Sequence, residues 1–119
     1  MKRSTDMLVQ QAQIFKTLMH PTRIAILEAL RHSEECVCHL EQQLGVRQAY
    51  LSQQLAVLRK AGLIADRREG LNMFYWITQP MVLELLDTAR AMVGGAPMPR
   101  TTIPLHACNC PRCSQLPVH

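Results

Sequence analysis

The chain has 119 residues, 48% of them hydrophobic and 18% charged, and a formal charge of +4. That length holds one domain with a modest core, and that balance excludes a disordered or collagen-like chain. No apolar run approaches a membrane span, and the opening "MKRSTDMLVQQAQIF" lacks the continuous apolar stretch of a signal peptide, so a cytoplasmic protein with no membrane partner is expected.

Residues 5–19 carry Met7, Leu8, Ala12, Phe15, Leu18 and Met19 at helical spacing. Pro21 breaks that run and suits the first turn of a second helix, "PTRIAILEALRH", with Ile24, Leu27 and Leu30 inward and Ile26 beside them. "SEE" then reads as polar punctuation. Residues 37–44 form a short helix with Val37, Leu40 and Leu44 on one side, closed by Gly45. Next comes "VRQAYLSQQLAVLRKAG", with Leu51, Leu55 and Leu58 along one stripe. Two helices joined by a short glycine-containing turn make a helix-turn-helix.

The character changes at "LIADRREGLNMFYWIT", rich in branched and aromatic residues around the charged turn Arg67-Arg68-Glu69-Gly70. This predicts a β-hairpin ended by Pro80. "MVLELLDTARAMV" is helical again. Met81, Leu85, Thr88 and Met92 lie near one face and Val82, Leu86, Ala89 and Val93 beside it, so this helix is expected to bury two sides. The fold class is mainly α with a β-hairpin wing, a winged helix-turn-helix in the order α-α-α-α-β-β-α. Residues 1–93 would form the DNA-binding and dimerisation domain. Residues 94–119 would be a Gly/Pro-rich tail carrying a cysteine cluster.

With Leu51, Leu55 and Leu58 inward, residues 47–60 turn Ala49, Tyr50, Ser52, Gln53, Ala56 and Lys60 outward. From Gln42 to Ala65 the charges are Arg47, Arg59 and Lys60, all positive. A helix entering the major groove needs amides and hydroxyls to read base edges and small residues for close approach. The expected DNA contacts are therefore Arg47, Gln48, Ala49, Tyr50, Ser52 and Gln53. Gln48 and Gln53 can pair with adenine, and Ser52 can serve base or phosphate. Arg67 and Arg68 at the hairpin tip can reach the backbone or minor groove. A solvated amphipathic helix explains the wheel alone equally well, but not its combination with the preceding short helix and the basic hairpin.

All five cysteines fall in two clusters, Cys36 and Cys38 in "ECVCHL" and Cys108, Cys110 and Cys113 in "CNCPRC". One cysteine is readily a small buried hydrophobe; five in two knots are not. In a reducing compartment such clusters bind metal or react. Within a regular helix, residues two apart diverge by ~200°. Cys36 and Cys38 can share an ion only if Cys36 lies outside the helix. Thiolate ligation favours soft ions. Three sulfurs suit As(III), Sb(III) or Pb(II), and four suit Cd(II) or Zn(II).

"FKTLMHPTRIAILEAL", "ECVCHLEQQLGVRQAYLSQQLAVLRKAGLI" and "RREGLNMFYWI" together resemble the ArsR/SmtB family of bacterial metal-sensing repressors over about residues 8–93. The resemblance implies a homodimer on a palindromic double-stranded DNA operator, with the first and last helices at the dimer interface and metal binding releasing the DNA. It also implies that the "CVC" of Cys36 and Cys38 marks a soft-metal and arsenic site, tilting the ion toward arsenite or antimonite. His39 stands where the family often has Asp, and no third cysteine is near, so the tail cysteines would complete the site. His106 is an additional candidate ligand and His39 a weaker one. The last helix has Glu84 and Asp87 but no histidine, so the family's Asp/His metal site there is expected to be absent.

Two other readings remain open on these residues. A thiol redox or persulfide sensor would join Cys36 or Cys38 to a tail cysteine. A zinc-stabilised tail would leave DNA affinity untouched. Enzymatic function has no support, because no nucleophile–base pair, strand-flanked Cys-x-x-Cys or glycine-rich phosphate loop is present.

Overall fold

In the computed structural model of the chain, residues 2–96 are described. The expected tail from Gly94, with Cys108, Cys110, Cys113 and His106, lies almost wholly outside them. The elements run α1 (Lys2–Leu18), α2 (Pro21–Ala29), β1 (Glu35–Cys36), α3 (Val37–Leu44), α4 (Gln48–Lys60), β2 (Ile64–Glu69), β3 (Asn72–Ile77) and α5 (Met81–Met92).

The local chemistry places these boundaries. Pro21 occupies the first turn of α2, where its missing N–H costs no helical bond. Gly45 closes α3 in the left-handed region at φ 66°, and its N–H reaches Glu41 O at 2.9 Å. That capping geometry carries little strain only without a Cβ. Arg47 is extended, and its carbonyl accepts from Leu51 N–H at 2.9 Å to start α4.

Helices α2, α3 and α4 surround the core. Ile26, Leu27, Leu40, Leu51, Leu55 and Leu58 are fully buried, and Leu63, Ile64, Val82 and Leu86 close it from the wing and α5. Arg31 ties α2 to α5 through Glu28 and Asp87, whose carboxylates hold its guanidinium pKa well above the ordinary value.

Two expectations need correction. The wing is a three-stranded antiparallel sheet in the order β1-β3-β2, not a two-stranded hairpin. Glu35 pairs with Tyr75 and Cys36 with Phe74. The extra strand has two residues, too few to show an alternating pattern, and the polar "SEE" concealed it. The hairpin turn is also shorter than expected. Arg67, Arg68 and Glu69 belong to β2, opposite Phe74, Met73 and Asn72, and only Gly70 and Leu71 connect the strands. A two-residue connection favours positive φ at its first residue, which Gly70 supplies at 62°.

Helix α5 buries one side rather than two within the single chain. Val82 and Leu86 pack inward, while Met81 (66% exposed) and Met92 (82%) face out. On α1, Met7, Leu8, Val9 and Phe15 are likewise exposed. Between these helices lies an apolar groove of about 400 Å³, lined by residues that include Ile14, Leu63, Met81, Leu85 and Thr88.

Truncating a core leucine of α4 tests this packing. Leu55→Ala is expected to destabilise the fold by about 2–5 kcal/mol through lost burial and the cavity left behind. Urea denaturation of the two proteins measures it. A change within a few tenths of a kcal/mol would place Leu55 outside the core.

Candidate DNA-reading face and thiol site

Helix α4 presents two unlike sides. Leu51, Gln54, Leu55 and Leu58 are buried, while Gln48, Ala49, Ser52, Gln53, Ala56 and Lys60 are exposed together with Arg47 just before the helix. Arg47, Gln48, Ala49, Ser52 and Gln53 of this set are residues expected to meet DNA, and the fold gathers them on one surface. No acidic residue lies on the helix.

Tyr50 is 37% exposed and is also engaged at one edge of this face. Its hydroxyl lies 3.1 Å from His20 Nε2 and 3.4 Å from Thr22 Oγ1. One turn on, the buried Gln54 Oε1 accepts from Arg23 Nε at 2.8 Å, and Arg23 Nη1 donates to Thr17 O at 3.2 Å. Sequence reasoning missed Gln54 and Arg23. The available signal was a glutamine on the leucine-bearing side of the wheel, which burial obliges to find a partner.

The wing carries its arginines differently from the expectation. Arg67 does not project from a tip. Its guanidinium bonds Glu34 at 2.7 Å and Glu69 at 2.8 Å and lies 4.6 Å above the centre of the Phe74 ring. Glu69 and then Glu34 raise its pKa. Arg68, the next residue along β2, is exposed and alternates to the opposite face. Arg59 at the end of α4 is bonded to Asp66 at 2.6 Å, which fastens α4 to the wing.

The two sulfurs of the first cluster meet. Cys36 is extended (φ −80°, ψ 158°) and caps α3, its sulfur accepting from His39 N–H at 3.3 Å. Cys38 stands in the first turn. Because Cys36 is outside the helix, the divergence of a regular helix does not apply, and the sulfurs lie 2.9 Å apart. They form a small cluster with Phe74, in which Cys36 and Phe74 are each 1% exposed.

Around the pair, Glu35 is buried, accepts from Ser33 Oγ at 3.2 Å and is bonded to His39 Nδ1. His39, the weaker candidate ligand, thus has one ring nitrogen committed to a carboxylate. Among the described residues no three or more His, Cys, Asp or Glu side chains gather to hold a metal ion. A tetrahedral ion with metal–sulfur bonds of about 2.3 Å holds two sulfurs about 3.8 Å apart. Cys36 and Cys38 therefore fit two corners of such a site after a spread of less than about 1 Å. On α5, Asp87 is bonded by both oxygens to Arg31, at 2.6 and 3.2 Å.

No helix among the described residues is long and apolar enough to cross a membrane. Residues 20–66, from the start of α2 into the wing, match the family "Bacterial regulatory protein, arsR family". The chain is 46% identical over 84 residues to the uncharacterized HTH-type transcriptional regulator Rv0081 of Mycobacterium tuberculosis, covering 70% of this chain and 74% of that one. The crystal structure of Rv0081 superposes with a TM-score of 0.66 at 44% identity, over 74% of this chain and 89% of that chain. A biofilm growth-associated repressor of Agrobacterium fabrum is 37% identical over 91 residues, 76% of this chain and 74% of its own. The homodimeric winged helix-turn-helix DNA-binding domain of Mb0332 from Mycobacterium bovis gives a TM-score of 0.70 at 28% identity, over 79% of this chain and 87% of that chain. These are regulators of transcription and not enzymes. The helix-turn-helix, the wing and the extent of these matches establish that the chain belongs to the ArsR/SmtB family of winged helix-turn-helix transcriptional repressors.

Proposed function

We propose that two copies of this repressor pair through α1 and α5 on a palindromic operator and leave it when a soft metal ion, or trivalent arsenic or antimony, binds cysteine thiolates. The contact between the Cys36 and Cys38 sulfurs carries the reading. It brings two soft ligands together where the wing strand β1 hands over to α3, the helix that leads into the reading helix. Two sulfurs are an incomplete set, and Cys108, Cys110 and Cys113 supply the rest in this proposal. Pairing is supported by the apolar faces that α1 and α5 leave open and by the homodimeric state of the Mb0332 domain.

A second reading, a thiol redox or persulfide sensor, draws on the same contact. The first turn of a helix favours a thiolate, and joining Cys36 or Cys38 to a tail cysteine passes two electrons and two protons to an oxidant as the disulfide forms. The discriminating experiment follows fluorescence anisotropy of the DNA complex during titration with arsenite, cadmium, lead and zinc under reductant. Release by an ion under reductant supports the first reading. Release only by oxidant or persulfide donor supports the second.

Three outcomes are expected. Gln53→Ala should weaken specific binding and relax base preference by roughly 1–3 kcal/mol, the worth of one bidentate base contact. An unchanged preference assigns reading to another side chain. Arg68→Ala should flatten the salt dependence of binding by about one unit of slope, whereas Arg67→Ala, already committed to Glu34 and Glu69, should flatten it less. Equal slopes for wild type and Arg68→Ala would take the wing off the DNA. Cys38→Ser should keep DNA binding and lose ion-driven release, while truncation before Cys108 should lower ion affinity and relax ion choice. A truncated chain with full ion affinity would remove the tail from the site. A normal response in Cys38→Ser with a dead truncation would give sensing to the tail alone.

A further inference from the structure

Beyond the glutamines and arginines of the reading surface, one polar cluster joins α4 to the start of α2 without serving the core. His20, the residue before Pro21, meets Tyr50 through Nε2 at 3.1 Å, and Thr22 Oγ1 lies 3.4 Å from the same hydroxyl. The rings are tilted by 42° with centres 6.2 Å apart, so edge contact as well as the hydrogen bond fixes the tyrosine.

The protonation pattern follows from burial. His20 Nδ1 is buried with no hydrogen-bond partner among the described residues. A buried N–H without an acceptor is the rarer defect, so a neutral ring keeps Nδ1 bare and carries its proton on Nε2. Nε2–H then donates to the Tyr50 oxygen. The tyrosine proton is left for Thr22, over a long 3.4 Å bond that a better acceptor can displace.

Position decides what that acceptor is. Tyr50 precedes the buried Gln54 by one helical turn, and Gln54 is bonded to Arg23 of α2. Tyr50 therefore sits on the flank of α4 that leans toward α2, beside the outward row of Ala49, Ser52 and Gln53. A side chain on the flank of a groove-entering helix meets the sugar-phosphate wall, while the outward row meets base edges.

We propose that His20 is a positioning residue for Tyr50, holding its hydroxyl at the edge of the reading face to donate to a DNA phosphate oxygen. This rests on the assignment of α4 as the DNA-reading helix. The pair sets how deeply and at what angle the helix seats, and it carries no base information.

The test uses the full chain, a duplex selected by the wild-type protein from a randomised pool, and a scrambled duplex of equal length. Tyr50→Phe keeps the ring and removes only the hydroxyl. It should weaken binding to both duplexes by about tenfold, the worth of a hydrogen bond to a charged group. The salt slope should not change, because a neutral donor releases no counterion. His20→Ala should weaken both alike, the His20→Ala/Tyr50→Phe double variant should be no weaker than Tyr50→Phe, and His20→Gln, whose amide can donate in place of Nε2, should recover most of the loss. Thermal unfolding of each variant separates a folding defect, and if His20→Ala unfolds, Tyr50→Phe and His20→Gln carry the test. Wild-type affinity in Tyr50→Phe, additive losses in the double variant, or a loss confined to the selected duplex each overturn the proposal. A wild-type chain that selects no duplex sinks the DNA-reading assignment itself, a different failure from an unaffected Tyr50→Phe.

Discussion

The short pairing of β1 with β3 is the constraint on which the arrangement depends. Two extended residues, Glu35 and Cys36, hydrogen-bond to the wing and then turn directly into α3. That rung fixes the wing relative to the helix-turn-helix and sets Cys36 on the buried ring of Phe74. It also keeps Cys36 out of helical geometry, without which its sulfur would point away from that of Cys38. Wing placement, thiol contact and the start of the helix-turn-helix are thus one structural event.

Ion pairing then sorts the basic residues. Arg31, Arg59 and Arg67 are each bonded to a carboxylate on another element, joining α2 to α5, α4 to β2, and β2 to the segment before β1. Exposed pairs of this kind contribute little stability singly, but they fix orientation. Arg47, Lys60 and Arg68 are exposed and form no ion pair among the described residues, so their charges are not committed to a carboxylate there.

The helices were legible because their apolar spacing is strong. Leu51, Leu55 and Leu58 define α4, and Pro21 and Gly45 punctuate α2 and α3. The outward set of α4 followed from that periodicity without further information. Strand β1 was illegible, since it owes its conformation to Phe74 and Tyr75 some forty residues later and not to any local pattern. Arg67 was misplaced for a related reason. In a charged run ending in a glycine it reads as turn, but cross-strand pairing with Phe74 and the reach to Glu34 carry the strand three residues further, through Glu69. The open face of α5 shows the converse, where sequence recorded an apolar side that a single chain does not cover.

Cys36 is almost wholly shielded from solvent, whereas its neighbour Cys38 is partly accessible. A soft ion or oxidant coming from solvent therefore reaches Cys36 only when the first turn of α3 frays. Local opening of this kind has its own free-energy cost. Access to the Cys36 sulfur is consequently tied to the breathing of one helical turn.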